Sequence, residues 1–229
     1  PRIRRTPAAL CVLILLVMLF SITASALDMY VQSGYHLTGG ITSVSFHYTN
    51  PNGYSNDHNI NYLSNILLVA NAWSSNVRTY TGRVISVTYS SSTSIADINY
   101  EFINSSASPY DTNLAGCVSY NANGTLTPTA GDSDLYPSPA GNYAYAKILL
   151  NQANTKSISE TFDFDLLVAH EKGHVFGLCH MSPINYSSWN SQPDCQSIMY
   201  EHTRSIYSDH QIHRPTATDC KGAAAANRN

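Results

Sequence analysis

One eleven-residue pattern, His-Glu-x-x-His-x-x-Gly-x-x-His beginning at His170, constrains this chain more than any other stretch. On a helix, His170 and His174 are four residues apart, so both imidazoles lie on one face and can reach the same metal ion. Gly177 can end that helix in a left-handed conformation, after which the chain turns and His180 returns as a third ligand. Three nitrogen ligands leave the fourth position of a tetrahedral zinc to water, and Glu171 can act on that water as general base.

The N-terminal stretch has the pattern of a secretory leader. Three arginines precede an apolar run over residues 8–22, and Ala-Ser-Ala at 24–26 offers a small-residue cleavage site. We therefore predict a signal peptide over residues 1–26 and a secreted mature chain. The alternative is a retained membrane anchor, for which the apolar run is borderline in length.

Length and net charge limit the number of domains and the class of partner that the chain can have. It has 229 residues and a net charge of −3, so no basic surface indicates a nucleic-acid partner. We predict a short lead over residues 27–40 and one catalytic domain over 41–229. After cleavage of the leader we expect a monomer without stable membrane association.

Four cysteines lie outside the leader, and an even number in an exported chain suggests disulfides. The favoured pairing joins Cys179 to Cys195, because this disulfide would covalently close the loop that follows His180. Cys117 with Cys220 would then be the second pair. The alternative for Cys117 is a buried free thiol.

Hydrophobic periodicity predicts strands that alternate with helices. Apolar residues recur at helical spacing from Asn59 or Asn61 to about Trp73, and the metal-binding pattern lies on a second helix over 161–176. A last helix over 220–226 would be capped by Thr218 and Asp219. Alternation of apolar and polar residues predicts strands over 41–48, 83–89, 95–102, 114–120 and 143–150. This order predicts an α/β fold with a twisted, largely parallel sheet.

Met199 follows His180 by nineteen residues, within Ser197-Ile198-Met199-Tyr200. The zinc-binding pattern followed by a Met-containing turn resembles the metzincin clan of zinc endopeptidases. Weaker similarities, among them Ala-Asn-Ala-Trp-Ser at 70–74 and Leu-Ala-Gly-Cys at 114–117, are typical of the matrixin branch. The resemblance covers about residues 41 to 226. It implies a mostly parallel sheet with an antiparallel edge strand, an active-site helix and a C-terminal helix.

The resemblance also implies roles for individual residues. His170, His174 and His180 would bind one catalytic zinc, Glu171 would be the general base, and Met199 would form a structural turn beneath the metal. Leu114, Ala115 and Gly116 would lie on the edge strand that binds an extended peptide. The chain departs from the family at Gly116, where matrixins often place a histidine for a second zinc, and at Cys179, where a small residue is usual. The resemblance therefore predicts a zinc metalloendopeptidase without the second zinc site, and it implies that the partner is a protein or peptide substrate.

Two alternatives stay open. Asp132 and Asp134 lie in a Gly-bearing loop and could hold calcium, but an ordinary acidic turn is favoured because no full calcium-loop pattern is present.

A zinc-stabilised binding protein without catalysis is the rival function. Glu171 argues against it, since a purely structural site needs no carboxylate beside an open zinc position.

Overall fold

In the part of the chain that a computed structural model describes, the strands are β1 (Ser43–Thr49), β2 (Ser86–Tyr89), β3 (Ile98–Ile103), β4 (Gly116–Asn121) and β5 (Tyr145–Asn151). They form one sheet in the order β2-β1-β3-β5-β4. The structure describes residues 36–104, 116–121 (backbone only), 143–180, 196–199 and 212–227. The first four strands in that order are parallel, and β4 runs antiparallel to β5 at the edge. The predicted α/β fold, with its antiparallel edge strand, is confirmed.

Four α-helices accompany the sheet in the described residues. Two were predicted near their observed bounds, α3 (Thr161–Val175) and α4 (Ala217–Ala226), whereas the short α2 (Gln152–Thr155) was not. The first helix, α1 (Tyr62–Thr81), begins after Asn61, one of the two predicted starting points. The Asn61 side chain caps the helix by accepting a hydrogen bond from the backbone N–H of Ser64. In the described part of the chain, no helix is both long and apolar enough to span a bilayer.

Helix α1 extends beyond the predicted end at Trp73. Ser74 and Ser75 follow there, and such residues favour caps and turns over helix interiors. In the structure their hydroxyls donate to helix carbonyls of the preceding turn, and Val77 one turn later is buried in the core. Packing therefore outweighs local propensity, and the helix ends only at Gly82, which is left-handed with φ of 72°.

The core lies between the sheet and the helices α1 and α3. Strands β1, β3 and β5 place alternate side chains there, such as Ile98, Tyr100 and Phe102 of β3, which are at most 2 % exposed. Trp73 of α1 ties the two helices together, since its indole N–H donates to the carbonyl of Ala169 on α3 at 3.3 Å. The metal-binding helix is thus fixed on the sheet by buried contacts along its length.

The cap of α4 differs from the prediction. Thr216, not Thr218, is the N-cap residue, and Asp219 occupies the third helical position of a capping box. Thr218 is instead a buried residue of the helix itself. The pattern Thr-x-x-Asp was present at 216–219, but the prediction started the helix three residues too late.

Lys172 is the most unusual residue of this core. It is fully buried, and its ammonium group has no hydrogen-bond partner among the described residues. The Nζ atom lies 5.1 Å from the ring centre of Phe46 and 5.7 Å from that of Phe176, within reach of cation–π attraction. Burial lowers the pKa of Lys172 to about 7, because the charged form loses its hydration.

Replacing Lys172 with Met, an unbranched apolar side chain, is expected to stabilise the fold. Between pH 7 and 10.5 the unfolded chain binds a proton that the folded chain lacks, so wild-type stability should rise with pH in that window. We expect Lys172→Met to raise the free energy of unfolding at pH 7 by about 2–4 kcal/mol and to lose this pH dependence. Urea unfolding at pH 7 and pH 10, with chelator present, measures both effects.

The control is Lys221→Met, which removes an exposed lysine of α4. It should leave the free energy of unfolding within about 0.5 kcal/mol of wild type. If Lys172→Met is no more stable than that control, burial of the Lys172 amine does not lower the free energy of unfolding, which would contradict this prediction.

Candidate metal centre

Three histidines meet at one point beside α3. The Nε2 atoms of His170, His174 and His180 lie 3.1 to 3.2 Å from one another, and the three side chains are the cluster in the described residues that could hold a metal ion. All three predicted ligands are therefore brought together. His170 and His174 stand on successive turns of α3, whereas His180 lies beyond its end.

The turn after α3 returns His180 to the helix. Gly177 adopts φ of 87°, a conformation that residues with a Cβ resist. The backbone N–H of Gly177 donates to His174 and that of Leu178 to Gly173, each at 3.0 Å. This pair of bonds is the Schellman arrangement, which satisfies carbonyls that the end of a helix leaves without partners. The predicted role of Gly177 is confirmed.

Backbone carbonyls orient two of the imidazoles. The Nδ1 atom of His170 lies 2.7 Å from the carbonyl oxygen of Ile198, and that of His174 lies 2.9 Å from the carbonyl oxygen of Leu178. Because a carbonyl only accepts, each Nδ1 must carry the proton of the neutral ring. The Nε2 atoms of both rings then present lone pairs toward the common point. These carbonyls are the outer partners that metal-binding histidines require, and the sequence did not reveal them.

The donor set fits zinc. Bonds of about 2.0–2.1 Å to a tetrahedral ion hold its ligand nitrogens about 3.3–3.4 Å apart, close to the observed separations. Burial lowers the pKa of His174 well below its usual value, and the neighbouring His170 and His180 lower it further. A neutral imidazole is the form that binds a metal.

Glu171 is buried beside the first ligand in sequence. Its side chain is 3 % exposed, and its Oε2 atom has no hydrogen-bond partner among the described residues. Burial raises the pKa of Glu171 to about 8. A divalent cation held by the adjacent histidines would oppose that shift, because a nearby positive charge favours the ionised carboxylate. A buried carboxylate oxygen without a partner among the described residues is unusual, which makes Glu171 a candidate functional group.

The Met-containing segment lies under the helix. Met199 is 2 % exposed, and a Cβ added to Gly173 would lie 2.5 Å from its sulfur atom. Met199 therefore packs directly against the turn of α3 that carries His174. This agrees with a structural turn beneath the metal centre.

Asp219 of α4 holds that turn in place, a role that sequence reasoning missed. Its buried carboxylate accepts from the hydroxyl of Ser197 at 2.5 Å and from the backbone N–H of Ile198 at 3.2 Å. The Ser197 hydroxyl oxygen in turn accepts from the N–H of Met199 at 3.0 Å. Burial raises the pKa of Asp219, although these hydrogen bonds oppose the shift. The capping-box pattern at 216–219 was the available signal, but it does not reveal the long-range partner.

Several predicted residues fall at or beyond the limits of the described chain. Gly116 begins β4 as predicted for the edge strand, while Leu114 and Ala115 lie outside the described residues. The calcium candidates Asp132 and Asp134 also lie outside them.

The predicted disulfides are not formed in this structure. Cys179 and Cys220 both carry free thiols, while Cys195 lies outside the described residues. Burial raises the pKa of both thiols, which keeps them protonated and disfavours the reactive thiolate. Cys220 is fully buried on α4 and behaves as a small core residue. Spacing along the chain was insufficient to infer either pairing.

Comparison with known proteins adds little to this geometry. No protein-family model matches the chain, and no curated protein matches it in sequence. Among solved structures, the chain is similar to one described as "Structure of myroilysin", with 14 % sequence identity and a TM-score of 0.36. That match covers 87 % of this chain and 98 % of the other. A similarity this low carries no functional argument.

The contact between Gly173 and Met199 can be tested by a double-mutant cycle. Gly173→Ala should reduce the free energy of unfolding by about 1–3 kcal/mol, since the new methyl group overlaps the Met199 sulfur. In a Met199→Ala background the same change should cost less, because the sulfur is gone and alanine favours the helix. Chemical denaturation of the four proteins measures the coupling. Simple additivity would show that the two residues do not touch.

Proposed function

We propose that this chain is a secreted zinc-dependent endopeptidase. The observation that carries the proposal is the convergence of three imidazole nitrogens, together with the buried Glu171 next to His170 in sequence, whose Oε2 atom has no hydrogen-bond partner among the described residues. A structural zinc site is closed by four protein ligands, whereas three ligands with an adjacent acid suit a catalytic one. The resemblance of the pattern at 170–180, and of Met199 after it, to the metzincin clan supports the same function.

The chemistry divides between the metal and the chain. Bound zinc would polarise the peptide carbonyl of the substrate and lower the pKa of its bound water. Glu171 would accept the proton of that water and pass it to the leaving amine. The carbonyls of Ile198 and Leu178 would keep the histidines in the tautomer that presents Nε2.

An extended peptide is the substrate that the sheet suits best. Strand β4 pairs with β5 along one edge, and no described strand lies on its other edge. Backbone groups of an open edge strand can pair with an added chain, which positions it without regard to side-chain identity. Helix α3 also contacts β4. We propose that residues 114–120 form one wall of the cleft and α3 the other.

The remaining parts of the proposal concern the mature protein. The leader-like residues 1–26 support export, after which the enzyme would be a secreted monomer without stable membrane association. N-terminal sequencing of the exported protein tests this: a start near Leu27 is expected, and retention of the apolar run would indicate a membrane-anchored protease instead.

Replacing Glu171 with Gln tests the enzymatic claim. The amide keeps the size of the side chain but cannot accept a proton, so we expect cleavage of a peptide library to fall at least about 100-fold. Bound zinc, measured by elemental analysis, should be retained. Removing the metal with a chelator should abolish wild-type cleavage, and added Zn²⁺ should restore it.

The matched control is Glu101→Gln. Glu101 lies on the opposite face of the sheet from the core, where its carboxylate pairs with Lys147 at 2.8 Å. This variant should cleave the library as wild type does. Equal cleavage by wild type and Glu171→Gln would refute the proposed mechanism, and absence of cleavage by zinc-loaded wild type would favour the rival binding protein.

A further inference from the structure

Tyr143 joins two parts of the chain that are distant in sequence. Its backbone N–H donates to the carbonyl of His36 at 3.1 Å, and its carbonyl accepts from the N–H of Thr38 at 2.8 Å. Leu37 between them pairs with Tyr143 as a parallel bridge, and both side chains are almost fully buried. The segment over residues 36–38, which we call the N-terminal bridge, is therefore part of the folded domain just ahead of β5.

The hydroxyl of Tyr143 reaches the end of the metal-binding helix. It donates to the carbonyl oxygen of Val175 at 2.5 Å. Val175 is the last residue of α3 and follows His174 directly. Carbonyls in the last turn of a helix have no intrahelical partner, so this buried bond satisfies a group that would otherwise be stranded.

The far side of the turn interacts electrostatically with the same hydroxyl. Burial raises the pKa of Tyr143, and the Cys179 thiol raises it further. Cys179 directly precedes His180. Through its hydrogen bond to Val175, Tyr143 anchors the start of the short segment that turns at Gly177 and carries His180 back toward His174.

This position bears on ligand geometry. The distance between the Nε2 atoms of His174 and His180 is 3.1 Å, and it depends on the path of the turn between them. Leu178 in that turn also supplies the carbonyl that orients His174. Groups that fix a ligand from outside commonly change metal affinity by about 10–100-fold when removed.

We propose that Tyr143 is a positioning residue of the metal centre, and that the N-terminal bridge acts on the centre through it. The proposal rests on the metal binding inferred above. It assigns the lead before residue 41 a role in completing the site.

Tyr143→Phe removes only the hydroxyl. We expect the affinity for Zn²⁺, measured by competition with a chromophoric chelator, to fall about 10–100-fold. The Co²⁺-substituted variant should show altered visible absorption, because the ligand geometry is relaxed. The matched control is Tyr100→Phe, which removes a buried hydroxyl of the same core that has no hydrogen-bond partner among the described residues. It should keep wild-type affinity and absorption.

A second pair of variants tests the N-terminal bridge in the full chain. Thr38→Pro removes the N–H that donates to Tyr143, whereas Thr38→Ala keeps it and trims only an exposed side chain. Thr38→Pro should lower Zn²⁺ affinity and change the Co²⁺ spectrum in the same direction as Tyr143→Phe. Thr38→Ala should do neither. This pair also keeps the proposal testable if Tyr143→Phe does not fold.

The outcomes separate this proposal from the proposed function. Wild type that binds no Zn²⁺ would refute the metal centre itself. Wild type that binds normally, with Tyr143→Phe unchanged, would refute the role of Tyr143 alone. Unchanged binding by Thr38→Pro would overturn the role of the bridge. A loss of affinity equal in Tyr143→Phe and Tyr100→Phe would reduce the effect to general destabilisation and would also overturn the proposal.

Discussion

Mutual repulsion between histidine lone pairs is the physical constraint that the three-histidine site has to overcome. His170 and His174 each commit their single ring proton to a backbone carbonyl, so their other nitrogens face each other as acceptors at 3.2 Å. Two acceptors at that distance repel unless a cation lies between them. The fold therefore holds an arrangement that is unfavourable by itself and becomes favourable when a metal binds.

Three separate parts of the chain maintain that arrangement. The Schellman turn at Gly177 returns His180 to the helix. Asp219 on the last helix fixes the segment whose Ile198 carbonyl orients His170. Tyr143, ahead of β5, contacts the end of α3. The contacts of Asp219 and Tyr143 join groups that are far apart in sequence, and the turn at Gly177 needs a left-handed backbone. The geometry of the three histidines therefore depends on the whole domain and not on α3 alone.

The sequence predicted what local rules determine. The spacing of His170 and His174 and the glycine after them predicted that three histidines meet at one point, because a helix and its left-handed cap have fixed geometry. The alternation of strands and helices predicted the parallel sheet for a similar reason. Local rules failed where packing decides: α1 continues through Ser74 and Ser75, and the charge of Lys172 gave no sign that its side chain lies between two rings. The disulfide predictions failed because spacing does not report which side chains face each other.

X-ray absorption at the zinc edge of the purified, zinc-reconstituted protein tests the central claim most directly. We expect one zinc per chain with only nitrogen or oxygen neighbours at about 2.0–2.1 Å and the multiple-scattering pattern of three imidazoles. Cys179 directly precedes His180 and carries a free thiol, so zinc ligation by its sulfur is the alternative that the measurement can detect. A sulfur neighbour at about 2.3 Å, or fewer than three imidazoles, would contradict the proposed open site of three histidines.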